Sequence, residues 1–182
     1  MEAGTAGWAL VVTILRLLHI VAGVIWVGAG ITVSMYLEPA LTRSGVDSGK
    51  VMRALYTKTS FDKLMPIVSI TTTVAGLALY YMVSNGFTDV NYMKSGQGIV
   101  LSIGALAGLA AFGHGFSTLG KYSRQYATVI AEAGDNPSDV QLTSLSEIEA
   151  KLMRHGKMSM WMSVVAVVFM AGARHVGPLF GS

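Results

Sequence analysis

Residues Trp8 to Leu37 read WALVVTILRLLHIVAGVIWVGAGITVSMYL. The run exceeds the roughly 20 apolar residues with which a helix crosses the hydrocarbon core of a bilayer. One arginine, Arg16, and one histidine, His19, interrupt it. An ionisable group inside such a span is costly, so it is expected to be paired, hidden from lipid and functional.

The composition extends this reading to the whole chain. Of 182 residues, 52% are hydrophobic and only 13% are charged, a balance outside that of ordinary soluble domains and characteristic of an integral membrane protein. The chain has no cysteine, which excludes disulfides, thiolate metal sites and cysteine-held clusters. Any metal or cofactor must be held by His, Met, carboxylate or backbone. The net charge of +3 comes from residues flanking the apolar runs and forms no basic stripe, so no nucleic-acid partner is expected.

Four segments are long and apolar enough to span: residues 8–37, 64–83, 98–119 and 158–180. In lipid they must be helices, because their backbone groups find no water. The start lacks the basic residues of a cleaved leader and runs on into Arg16 and His19, so it is expected to be a retained helix. The link between the first two spans carries Arg43, Lys50, Arg53 and Lys58; that between the last two carries Lys121, Arg124, Lys151, Arg154 and Lys157. By the bias of basic residues toward the cytoplasm, both links are cytoplasmic and both termini lie outside. The expected fold is all-α: an antiparallel, up-down four-helix bundle forming a single multi-pass domain in the inner or plasma membrane.

Residues 120–157 are expected to form a helical hairpin beyond the bilayer. Lys121 to Ala133 contains no breaker, Gly134 stops the helix, and Ser144 with Glu147 resembles a capping box opening the next one.

At about 100° per residue, Arg16, His19, Gly23, Trp26 and Gly30 share one face of the first helix. Imidazole for iron, glycines where a flat ring approaches, and a guanidinium for a propionate are the parts of a haem site. The alternative is a packing surface, with Gly23 and Gly30 as small contacts and Arg16 and His19 in an interhelical network. Counting from the loop centres puts His19 level with about residues 104 and 172, leaving His175 off by roughly 5 Å and His114 by roughly 15 Å. His19 with His175 is therefore the expected ligand pair, with Arg16 and Arg174 for the propionates. His114 is a further iron candidate and allows a second haem; alternatively it joins Met158, Met162 or His155 in a second, inner site, or is a core histidine bonded to Ser or Thr. His155, Met158 and Met162 fall at i, i+3 and i+7, a stripe suited to copper, although methionine is also a common apolar filler.

The stretch Arg16-Leu-Leu-His19-Ile-Val-Ala-Gly23-Val-Ile-Trp26-Val-Gly28 resembles the opening of the membrane domain of the cytochrome-c-linked urate hydroxylases. It is similar, more loosely, to the copper-resistance-D-like membrane proteins and the HemJ-type protoporphyrinogen oxidases. The resemblance implies a haem-b-binding helical bundle with His19 as an axial ligand, and copper handling or quinone- or cytochrome-linked oxidation as activities. Those urate enzymes carry more membrane helices and a terminal cytochrome c, whereas this chain has four expected spans and no C-x-x-C-H motif. A homodimer, or a place in a larger redox complex, would supply the missing helices. No acid–base pair marks independent substrate chemistry, so an electron-transfer protein or subunit is expected rather than a stand-alone enzyme. The alternatives are a copper transport or tolerance protein and a HemJ-like haem-dependent oxidase.

Overall fold

A computed structural model describes residues 5–44, 48–134 and 136–176, all helix, turn or loop, with no strand among them. Helix α1 (Ala6–Ile31) passes through a π-helical turn (Thr32–Leu37) into α2 (Glu38–Ser44). Helices α3 (Ser48–Lys58), α4 (Phe61–Val83) and α5 (Val90–Lys94) follow. Then α6 (Gly96–His114) passes through a second π-helical turn (Gly115–Leu119) into α7 (Gly120–Ala133), and α8 (Asp139–Gly172) ends in a 3₁₀ turn (Ala173–His175). Four of the continuous helical stretches are long and apolar enough to cross a membrane: Ala6–Ser44, Phe61–Val83, Gly96–Ala133 and Asp139–His175.

Local chemistry sets the boundaries. Thr5, Asp89 and Ser95 each accept a hydrogen bond from a backbone N–H of the first turn they cap. Gly134 ends α7 with φ of 58°, as its stop signal predicts. The capping box, however, is Ser138 with Gln141 and not Ser144 with Glu147, so α8 begins six residues earlier than expected. Ser138 follows Pro137 directly, and its hydroxyl and the Gln141 carboxamide satisfy each other's backbone N–H groups. The proposed end of the fourth span, residues 177–180, lies outside the described residues.

The spans pack chiefly as two pairs, α1 with α4 and α6 with α8. Small residues make the contacts: Ala22 and Ala75 are buried in the first pair, Gly104, Ala111, Ser159 and Ala166 in the second. Large apolar residues face outward, among them Leu17, Val24, Ile67, Val74, Leu106 and Val168. That inside-out distribution suits lipid and would be a severe liability in water. Along α6 the neighbours on α8 run backward, Gly104 meeting Met170 and Ala111 accepting a hydrogen bond from Ser159, so these two helices are antiparallel.

Beyond the apolar region the logic reverses. The α7–α8 hairpin, with α3 against it, buries large side chains: Met52, Tyr126, Leu145 and Leu152. Tyr126 donates a hydrogen bond to the buried Glu149 inside this cluster. The hairpin therefore packs around large side chains, as soluble cores do, whereas the spans pack mainly on small ones.

Candidate functional site

His19 is held against α4. Its Nδ1 lies 2.8 Å from the backbone carbonyl of Thr72. A carbonyl only accepts, so Nδ1 carries the proton and Nε2 is the basic nitrogen. The ring edge fits because Gly76 has no side chain: a Cβ there would stand 2.7 Å from His19 Cε1 and 2.8 Å from Nδ1. Thr72 and Gly76, four apart on one face of α4, form the small-residue notch that receives the imidazole. That spacing was the available sequence signal for the notch. An imidazole fixed through Nδ1 to a backbone carbonyl, with Nε2 free to ligate, is the arrangement in which histidine binds a metal. The donor chemistry at His19 thus fits a haem iron.

The rest of the predicted face divides. Gly23 packs on Thr72, whose Cγ2 would lie 3.5 Å from an added Cβ, so this glycine serves the α1–α4 seam. Gly30 instead faces Met160 of α8, and Trp26 and Gly30 line a cavity between the helix pairs. Arg16 is exposed and has no hydrogen bond or ion pair among the described residues. A guanidinium within an apolar span calls for an anionic partner or for a path to the interface.

Contacts of the continuous stretch Ala6–Ser44 with α8 fix the relative depths. Gly30 meets Met160, Ser34 stands opposite Gly156, and Glu38 pairs with Lys157 at 2.7 Å. Counting from Gly30 and Met160 puts His19 level with about residue 171, so His175 lies about 6 Å farther along the axis. Arg174 and His175 are both exposed, on a turn that packs against α6 and the end of α8. His19 and His175 therefore belong to different helix pairs at similar depth. His114, beside His155, is level with about Ser34 and roughly 20 Å from His19 along the axis, too far to share its iron.

At that second level the structure brings together His114 and His155, one of the inner-site combinations the sequence allows. The rings of His114 and His155 have centroids 5.2 Å apart, inclined at 49°. Tyr122 stacks on His155 at 5.6 Å and 20°. Met158, which the copper stripe joined to His155, is 48% exposed, while Nδ1 of His155 is buried. Met162 is half-buried. Among the described residues no group of three or more His, Cys, Asp or Glu side chains gathers.

The cavity, about 670 Å³, lies between the pairs near both π-helical turns. Val33, Ser34 and Leu37 from the first turn and Gly115, Phe116 and Leu119 from the second line it, along with Trp26, Phe112 and Met160. Each turn closes i→i+5 bonds, Glu38 N–H to Val33 and Gly120 N–H to Gly115, and such inserted residues recur at functional sites. None of the four histidines lines this space. Tyr56 borders it, its phenol pushed above the usual range by burial and by nearby Asp62, against the lowering effect of its hydrogen bond with Ser123. No family model, curated protein or solved structure matches the chain.

Proposed function

We propose that this chain is a b-type haem-binding protein of the inner or plasma membrane, passing electrons between the quinone pool or a partner enzyme and an acceptor. The observation that carries the reading is the hydrogen bond from His19 Nδ1 to Thr72, which leaves Nε2 as a positioned ligand within an apolar span. His19 would hold the iron, and His175, at similar depth, would supply the second ligand. Arg16 and Arg174, both exposed near that level, would meet the propionates. A bound haem supplies a one-electron couple whose potential the protein sets through burial and hydrogen bonding to the ligands. The Thr72 carbonyl fixes the tautomer and ring plane of His19, while the surrounding apolar side chains exclude water. In this reading the bundle is up-down with both termini outside, and two copies, or a partner subunit, complete the assembly.

The test is a reduced-minus-oxidised spectrum of detergent-purified protein saturated with haem. A b-type spectrum that His19→Ala abolishes is expected, with His175→Ala changing the ligation signature. Absence of b-type absorption in the wild-type protein overturns the function, and retention by His19→Ala overturns the ligand.

A further inference from the structure

We propose that His114 and His155 form a second site, separate from His19, for a late first-row transition-metal ion that prefers tetrahedral coordination. Nε2 of His114 and Nδ1 of His155 are both buried without a hydrogen-bond partner. Buried polar atoms are rarely left so, because each forfeits its hydration. Two on adjacent rings indicate a common guest. Ring stacking alone does not explain the pair, since a 49° inclination is neither parallel nor edge-on.

The separation fits an ion. With metal–nitrogen bonds of about 2.0 Å, each ring centre lies about 3 Å from the metal, and a near-tetrahedral angle places the two centres about 5 Å apart. The observed value is 5.2 Å. The rings are also held in place. Tyr122 stacks on His155, and the hydrogen bond from Ser159 to the Ala111 carbonyl, at 3.3 Å, locks α8 to α6 one turn away from the pair. The π-helical turn begins at Gly115, so the helix changes pitch directly after His114.

Two imidazoles leave the remaining coordination positions to water or an exogenous ligand. This is an open site of the kind that exchanges ions or activates a bound group, unlike a closed structural site. Lys121 and Lys151 each place an ammonium 5.8 Å from the centre of the Tyr122 ring, and the site has no carboxylate partner among the described residues. It therefore selects ions through nitrogen affinity and not through charge, which disfavours magnesium and calcium.

The experiment is equilibrium dialysis of untagged, metal-stripped full-length protein in detergent against Zn²⁺, Cu⁺ and Mg²⁺, with metal analysis. A single ion of Zn²⁺ or Cu⁺ per chain is expected, with no Mg²⁺. His114→Ala and His155→Ala should each weaken binding by about tenfold or more, while His19→Ala retains it. Helical content and melting temperature establish that each variant is folded, and Met158→Leu, expected to bind normally, tests the exposed thioether. Failure of both Zn²⁺ and Cu⁺ to bind overturns the site, as does binding that survives both histidine substitutions. Loss of haem and not of metal in His114→Ala also overturns it, by making the pair a haem site. The haem reading at His19 stands or falls separately, by its spectrum.

Discussion

The imidazole of His19 donates Nδ1–H to the carbonyl of Thr72 at 2.8 Å, and the same ring edge occupies the space a side chain on Gly76 would need. Ligand orientation and helix packing are thus one contact. In Gly76→Ala the new methyl must displace a ring already bonded to its own helix face. Haem affinity should fall about 10- to 100-fold, the range for loss of a partner that orients a ligand, with helical content retained. Haem titration checks this, and wild-type affinity together with an unchanged spectrum would refute the coupling.

A contrast between glycines tests the packing of the spans. A Cβ on Gly104 would lie 2.9 Å from Met170 Cγ and 3.0 Å from its backbone nitrogen, whereas one on Gly28 would meet nothing within 4 Å. Gly104→Ala should cost about 1–3 kcal/mol through overpacking. Gly28→Ala should be neutral or stabilising by roughly 0.5–1 kcal/mol, because alanine loses less backbone freedom. Thermal unfolding in detergent compares them; equal melting temperatures would contradict the α6–α8 register.

The spans were legible because apolar length is a strong, local signal, and so was the Gly134 stop. Finer features were not. Ser138 and Ser144 both offer an N-cap with a glutamine or glutamate three residues on, and only the chain's exit from Pro137 makes the first one the helix start. The π-helical turns leave no compositional mark. The face shared by Arg16, His19, Gly23, Trp26 and Gly30 held as a helical stripe, yet its members meet different partners because α1 contacts α4 near His19 and α8 near Gly30. His114 and His155 are 41 positions apart, and only the antiparallel register of α6 and α8 brings their rings together.

In the hairpin, Tyr126 is fully buried and donates to Glu149, itself buried. Tyr126→Phe leaves a buried carboxylate short of a donor and should cost about 1–3 kcal/mol. The loss belongs to the hairpin and not to the spans. Proteolysis near residue 134 should accelerate while haem binding at His19 is unchanged; unaltered cleavage would show that the bond contributes little.

Tyr56 gives a dependence on alkaline pH. Burial raises its pKa above 10.0 in the folded protein, so the native state holds this proton more tightly than the unfolded chain. Its contribution is present below pH 10 and is lost as pH rises through the folded pKa. Melting temperatures measured from neutral pH to above 10 should fall less steeply for Tyr56→Phe than for the wild-type protein. Identical slopes would remove Tyr56 from the alkaline transition.

The proposed orientation rests on basic residues at the hairpin end, Lys121, Arg124, Lys151, Arg154 and Lys157, against Lys94 in α5 and Arg174 at the other. With no native cysteine, single substitutions report sidedness without background. Asn136, between α7 and α8, and Asn91, in α5, are both exposed. In intact cells an impermeant maleimide should label Asn91→Cys, while Asn136→Cys should react only after permeabilisation. The opposite pattern would invert the bundle, placing the hairpin outside. Labelling of both in intact cells would show that the third span, which lies between the two positions, does not cross the membrane.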